Sequence, residues 1–362
     1  MKRFCLLLIS GLLLAFQAHA QTGGKYVYNF LDFNYSGRLA GLGGGLIAVN
    51  DDDPSYIIYN PSMINATHHK SMMLHFTNYF ANVGYGAALY SHTFKNAGSF
   101  AAEMRFVGYG KFKGMDDSGY ETGEFSAGDY ALTIGWGRPL NEKFSIGANL
   151  KLIYSGYEIY HSFGLAVDVA GSYYNEQKRL GLSILFKNIG SEIKPFTSGN
   201  YQKLPFDIQL ALSQRFEHLP LRYHISLHSL HRWNMSNEQS FHPFMDRNIE
   251  TGEYPARTKT TQFFDNFFRH LTFGIEIEPS KYFSLLFAYN HDRRQEMRIP
   301  QKKAMAGFSY GFNINIHSIR IGFSRAHYAV GATPNYITFS ANLDALANHS
   351  KENKKKKLER LN

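Results

Sequence analysis

His224-Ile225-Ser226 sets a histidine and a serine two residues apart, so in an extended chain both side chains share one face, as a base and a hydroxyl must for ester hydrolysis. Chemistry on membrane lipid would need that face outward. Tyr223, Ile225 and Leu227 take the apolar side instead, which turns His224, Ser226 and His228 inward, away from acyl chains. They read as packing and hydrogen-bonding groups, and no esterase is expected. His68, His69 and His75 lie close in sequence, but adjacent histidines at the start of a strand point to opposite faces and do not make a metal site. The only cysteine, Cys5, falls in the first twenty residues, so thiol chemistry is excluded from the remainder. The run Gly41-Leu42-Gly43-Gly44-Gly45 would cradle a dinucleotide only with glycine at Leu46. Asp51-Asp52-Asp53 would open a calcium loop only with alternating ligands and a glutamate at Ser62. No catalytic residue, cofactor or metal is expected.

The elements that position these residues are strands. Phe144, Ile146, Ala148, Leu150, Leu152 and Tyr154 alternate with Ser145, Gly147, Asn149 and Lys151. The same period recurs at Phe163, Leu165, Val167 and Val169 against Gly164, Ala166, Asp168 and Ala170, and at Leu271, Phe273, Ile275 and Ile277 against Thr272, Gly274 and Glu276. Each run is near the ~9–11 residues that a tilted strand needs to cross a bilayer. The alternation predicts an all-β fold, a transmembrane antiparallel β-barrel of fourteen strands with cores at 70–78, 81–93, 97–109, 125–137, 142–155, 161–174, 178–187, 204–216, 220–232, 268–279, 281–290, 303–312, 316–326 and 335–343. Its domains are a signal peptide over 1–20, an N-terminal segment over 21–66, the barrel over 67–344 and a basic tail over 345–362. The signal reads from Lys2 and Arg3, the apolar stretch Phe4 to Phe16, and the small-x-small site Ala18-His19-Ala20, with Gln21 as the mature terminus.

Connections alternate in length. Tight ones fall at Asn96, Pro139-Leu140-Asn141, Asn175-Glu176-Gln177, Glu217-His218-Leu219, Ser280 and Asn315; longer ones fall at 110–124, 156–160, 188–202, 233–267, 291–302 and 327–334, with Tyr79-Phe80 the short exception. Short periplasmic turns and long outer loops are the barrel signature, which predicts an outer-membrane location with both termini periplasmic. Tyr79, Phe80, Tyr109, Trp136, Tyr154, Tyr173 and Tyr289 sit where an aromatic girdle would. The 233–267 loop is too aromatic for a tether, and Phe241, Phe244, Met245 and Tyr254 are its candidate partner-docking residues; packing on its own barrel is the alternative. The formal charge of +9 is concentrated in the tail, with Lys354 through Lys357, and in the cluster Arg293, Arg294, Arg298, Lys302 and Lys303. Nucleic acid is not an expected partner of an exported barrel; anionic lipid head groups, an acidic protein surface or plain solvation account for the clusters.

The segment before the first strand carries Ser36-Gly37-Arg38-Leu39-Ala40-Gly41-Leu42-Gly43-Gly44, Asp52-Asp53-Pro54-Ser55 and Tyr59-Asn60-Pro61-Ser62. It resembles the N-terminal hatch of the FadL-like fourteen-stranded outer-membrane barrels, and departs from them in having Ser62 where alanine is usual. Tyr28-Asn29-Phe30-Leu31-Asp32, the Arg-x-x-Gly-x-Gly-Gly stretch and Asp51-Asp52-Asp53 resemble more closely the PorQ-type barrels of the type IX secretion system of Bacteroidota. The resemblance implies a hatch inside the lumen, built on Arg38, Gly41, Gly43, Gly44, Asp51, Asp52, Asp53, Asn60 and Pro61. It also implies a structural role in docking the cell-surface attachment machinery, beside partners of the PorZ, PorU and PorV types, with no small-molecule substrate. A FadL-like transporter of fatty acids or other hydrophobic molecules is the alternative. From strand facing, Asp51 to Asp53 are expected to pair with Arg105, Lys151, Arg222 or Arg320, and Arg38 with Glu103, Asp129, Asp168 or Asp207.

Overall fold

The computed structural model describes residues 26–81, 83–235, 259–297, 305–316 and 318–348. The expected signal peptide over 1–20 and the candidate docking residues Phe241, Phe244, Met245 and Tyr254 lie outside them, as do Arg298, Lys302, Lys303 and most of the expected tail.

Fourteen antiparallel strands close on themselves, each paired with its neighbours in sequence and the last with the first. They are β1 Ser71–Asn78, β2 Gly84–Phe94, β3 Gly98–Met115, β4 Glu121–Pro139, β5 Phe144–Tyr157, β6 Tyr160–Asn175, β7 Leu180–Lys194, β8 Asp207–Arg215, β9 Leu221–Leu227, β10 Leu271–Ser280, β11 Phe283–Asn290, β12 Phe308–Ile316, β13 Ile319–Ala326 and β14 Asn335–Asn342. The closing seam runs from Ser71↔Asn342 to Asn78↔Asn335. Facing follows the predicted alternation. Lys151 is 2% exposed and Asn149, Ile153 and Ser155 are buried, whereas the intervening Leu152 is 48% exposed and Leu150 and Phe144 stand out beside it. An exterior of leucine and phenylalanine around an interior of small, polar and charged groups is an arrangement that lipid outside stabilises and water outside would not.

The ends differ from the sequence expectation where hydrogen bonding outlasts the apolar alternation. β3 and β4 extend through the expected 110–124 loop and meet at Met115↔Glu121, β7 runs on to Lys194, and 156–160 is a tight turn with Glu158 at φ 56°. β9 stops at Leu227, short of 232. Two helices occupy what read as loop: Lys259–Arg269, which also takes the first residues assigned to the tenth strand, and His291–Met297. Following the hatch helix α1, Gly37–Gly41, these are α2 and α3. Residues 343–348, expected as the end of the last strand and the start of the basic tail, are helical. Tyr79 and Tyr109 do not join the girdle; they continue the inward parity of Thr77 and Val107 and pack against the luminal core.

The core is that of the hatch. Phe30, Leu31, Tyr35, Leu39, Tyr56, Ile57, Ile58 and Ile64 are almost wholly buried against inward residues such as Met73, Tyr85, Ala131 and Leu286. The described chain begins at the long-loop end, where Tyr26 bridges Lys203 in parallel and the Tyr28 hydroxyl meets Ser162 Oγ at 2.5 Å. It then descends the lumen and turns into β1 at the short-turn end, where Lys70 Nζ reaches Asp344 at 2.9 Å. The two ends of the described chain therefore lie at opposite rims, whereas both were expected on the short-turn side.

Candidate functional site: the hatch in the lumen

The hatch is a chain of short turns because its sequence supplies a cap or a proline at each. Ser36 caps α1 by accepting from Leu39 N–H, and Asp53 and Asn65 accept from Ser55 and Thr67 N–H at the starts of 3-10 turns at Pro54–Tyr56 and Ala66–His68. Gly43 and Gly44 follow α1 at φ 88° and 86°, a conformation that costs glycine nothing and sends the chain back down the wall. Gly41 sits where any Cβ would press on Leu286 and Ser324. The Gly37 N–H donates to Thr338 Oγ1 at 2.7 Å and Ser324 Oγ donates to the Gly37 carbonyl at 2.6 Å, tying α1 to β13 and β14.

On the β4–β7 side the hatch is seated by shape. A Cβ on Gly137 would strike the Ile64 carbonyl, one on Gly147 the Pro61 carbonyl, and one on Gly181 the Ala48 carbonyl; all three obstacles are backbone. Pro61 begins the 3-10 turn Pro61–Met63 pressed into this wall. Asn60 Nδ2 donates to the Ile47 carbonyl and to Ser183 Oγ, both at 3.0 Å, and Ser62 Oγ meets Asn60 Oδ1 at 2.6 Å and Ser172 Oγ at 2.5 Å. The serine at position 62 thus links the hatch to β6.

On the β9–β13 side the hatch is held by charge. Arg38 NH1 lies 2.7 Å from Asp51 and 3.1 Å from Asp53, and its NH2 lies 2.9 Å from Glu276 of β10. Arg222 NH1 of β9 reaches Glu276 at 2.9 Å, Glu278 at 3.1 Å and Asp51 at 3.7 Å; Arg320 of β13 reaches Asp52 at 2.9 Å and Asp53 at 3.2 Å. Burial alone would push the Asp51 and Asp53 carboxyls up; Arg38, Arg320 and Arg222 outweigh it at Asp51, and Arg320 and Arg38 with the Ser55 N–H outweigh it at Asp53, so both are held below the ordinary aspartate value. A cleft of about 240 Å³ opens beside this cluster at the short-turn end, lined by Asp51, Asp52, Arg215, Arg222, Glu278 and Arg320 among others.

Of the four cations expected for the aspartate run two are met, and of the four carboxylates expected for Arg38 none. Arg222 and Arg320 do meet the aspartate run. Arg105 does not: its Nε donates to Glu103 at 2.5 Å, and its guanidinium lies 4.9 Å and 4.8 Å from the Tyr35 and Tyr59 ring centres. Lys151 instead bonds Asp168 and Asn188 Oδ1, each at 2.7 Å. None of the four partners expected for Arg38 is its partner. Glu103 and Asp168 are taken as above, Asp129 accepts from Tyr109 and Tyr157, and Asp207 from Gln209 and the Ser229 N–H. Facing identifies the groups that can enter the lumen; height and direction across it depend on register. Glu276, the carboxylate that binds Arg38, was visible as the inward charge among Thr272, Gly274 and Glu276.

The histidines do no common work. His224 Nδ1 pairs with Ser213 Oγ at 2.8 Å, while Ser226 lies against Gly45. His75 bonds Thr338 and Thr77, both at 2.8 Å, and His69 accepts from the Thr93 N–H at 3.1 Å, so His68, His69 and His75 do not converge. Among the described residues no group of three or more His, Cys, Asp or Glu side chains is placed to hold a metal ion. Phe33 of the hatch and Tyr79, Tyr85, Tyr328 and Tyr336 of the wall form a continuous aromatic group, with Phe33–Tyr85 ring centres 5.1 Å apart and Tyr79–Tyr328 6.0 Å apart.

A closed fourteen-stranded barrel with a lipophilic exterior and a hatch-filled lumen is an outer-membrane β-barrel. Among solved structures, the chain is similar to the toluene transporter TodX of Pseudomonas putida, with a TM-score of 0.51 and 12% identity over 86% of this chain and 99% of that one. A second TodX structure aligns with a TM-score of 0.50 and 11% identity, over 85% and 96%. A Pseudomonas aeruginosa FadL homologue aligns more loosely, with a TM-score of 0.46 and 11% identity, over 84% and 97%. At these identities the likeness is one of fold. No protein-family model matches the sequence, and no curated protein does.

Proposed function

We propose that the protein is a closed outer-membrane barrel that works as an anchor, presenting its long-loop rim to a surface partner within a type IX secretion system of a Bacteroidota-like bacterium, without catalysis or cofactor. The observation that carries this reading is a hatch fixed to its wall, its backbone seated on Gly137, Gly147 and Gly181 with no room for one added carbon. The resemblance of residues 25–65 to PorQ-type barrels supports the particular system, with partners of the PorZ type and, beside them, PorU and PorV types. The partner-facing rim would include the stretch 240–262.

A second reading is passage of small hydrophobic molecules, and the similarity to the TodX fold favours it. The half-buried Tyr79 and Tyr328, whose rings lie 6.0 Å apart, would then be the aromatic contacts for such a molecule. Deleting the protein separates the two. Cargo stranded in the periplasm, or released without attachment, supports the anchor. Intact surface display with slowed uptake of toluene or of long-chain fatty acids supports the transporter and overturns the anchor. A pull-down from detergent-solubilised outer membrane should bring a large surface protein with the barrel and lose it when 240–262 is removed.

A further inference from the structure

α2 is built inside out. At 100° per residue, Phe263, Phe264, Phe267 and Phe268 fall on one side of the helix, and Asp265, Asn266 and Arg269 on the other. In a helix packed on a water-soluble protein the phenylalanines would be buried. Here Asn266 and Arg269 are buried and each of the four phenylalanines is at least 39% exposed. The polar side is locked down: Asn266 Oδ1 accepts from the Met235 N–H at 3.0 Å, and Arg269 pairs with Asp265 at 3.0 Å and with Asp292 of α3 at 3.2 Å. Trp233, itself exposed, extends the aromatic side by packing on Phe263 with ring centres 5.1 Å apart.

The strands of this barrel show the same inversion, and there the cause is lipid. The two surfaces are also joined. The Phe268 ring lies 5.9 Å from His291, His291 lies 6.0 Å from Tyr289, and Tyr289 lies 5.0 Å from Phe308, the last two being outward residues of β11 and β12. α2 leads directly into β10, whose outward Phe273 is exposed below it. We propose that the Phe263, Phe264, Phe267, Phe268 and Trp233 surface is a lipid-binding surface that rests α2 in the outer interface of the membrane, continuous with the barrel's lipid belt. Exposed aromatics beside a lysine, here Lys259, are the composition that such a boundary favours. Trp233 and α2, described parts of the 233–267 connection, then rest on the bilayer.

The chain's two tryptophans make the test. Trp136 lies on the exterior face of β4 near the short-turn end, so in a Trp233→Phe variant it reports insertion of the barrel; a Trp136→Phe variant reports Trp233 alone. Each refolded variant is placed in phosphatidylcholine vesicles carrying a nitroxide high on the acyl chain, and emission is compared with that in unlabelled vesicles and with added acrylamide. The expected result is a nitroxide-dependent loss for Trp233 at least as large as that for Trp136, with weak acrylamide quenching. Adding Phe264→Asp and Phe267→Asp should reverse this for Trp233 and leave Trp136 unchanged. Quenching of Trp136 by the nitroxide together with quenching of Trp233 by acrylamide alone would overturn the proposal and leave the surface to water or a protein partner. If neither tryptophan responded to the nitroxide, the membrane barrel itself would fall with it.

Discussion

The two walls of the lumen hold one hatch by different means. Along β4–β7 the contact is backbone against glycine, with Pro61, Ile64 and Ala48 filling the places where side chains would stand. Along β9–β13 it is guanidinium against carboxylate, with Arg38, Arg222 and Arg320 meeting Asp51, Asp53 and Glu276. A shape contact discriminates by fractions of an ångström and is indifferent to pH. A buried ion cluster fixes the direction and height of the hatch, and it depends on every member keeping its charge.

The difference can be broken from the charged side first. Arg38→Ala leaves Asp53 and Glu276 buried with fewer cations, and should cost about 3–5 kcal/mol of hatch seating. The measurement is limited proteolysis of residues 26–70 in detergent, with the heat-induced gel shift reporting the barrel separately; a hatch as resistant as the parent's would show that shape alone suffices. Gly147→Ala tests the other wall, where the Pro61 carbonyl blocks the new methyl, and should cost about 1–3 kcal/mol in the same assay. Acid sharpens the contrast. Because Asp51 and Asp53 are held below the ordinary value, their contribution is complete above that value, about pH 4, and is lost as pH falls through the lower native values. Protease resistance of the parent hatch should therefore fall below about pH 4, and that of Arg38→Ala should change less. The smallest effect belongs to Asp52→Asn. Its pair with Arg320 is 76% exposed on the aspartate side, and a shift beyond about 0.5 kcal/mol would give the exposed pair a weight the geometry does not.

Strand number, facing and the closed barrel were legible because lipid imposes a period of two on every crossing segment. Phe144 to Tyr154 and Leu271 to Ile277 carry that period without interruption. Parity also held information that a girdle assignment overrode: Tyr79 and Tyr109 share the inward parity of Thr77 and Val107, and both pack inside. Arg38's true partner was visible as an inward charge, but pairing across a lumen depends on how far up each strand a residue sits, and alternation is silent on height. Helix α2 carries its signal in the i, i+1, i+4, i+5 spacing of its four phenylalanines, which reads as loop if strands alone are sought. The glycine seats are the least legible feature. A glycine at an inward position announces only that something comes close, and Gly137, Gly147 and Gly181 meet residues more than seventy positions away.

The hatch touches opposite walls at once, through Gly37 on Thr338 of β14 and through Ser62 on Ser172 of β6. It also precedes β1 directly, and β1 pairs with β14 along the closing seam. The hatch is continuous with one strand of the seam and bonded to the other, so seating the hatch and closing the ring reinforce each other, and loosening either should loosen both.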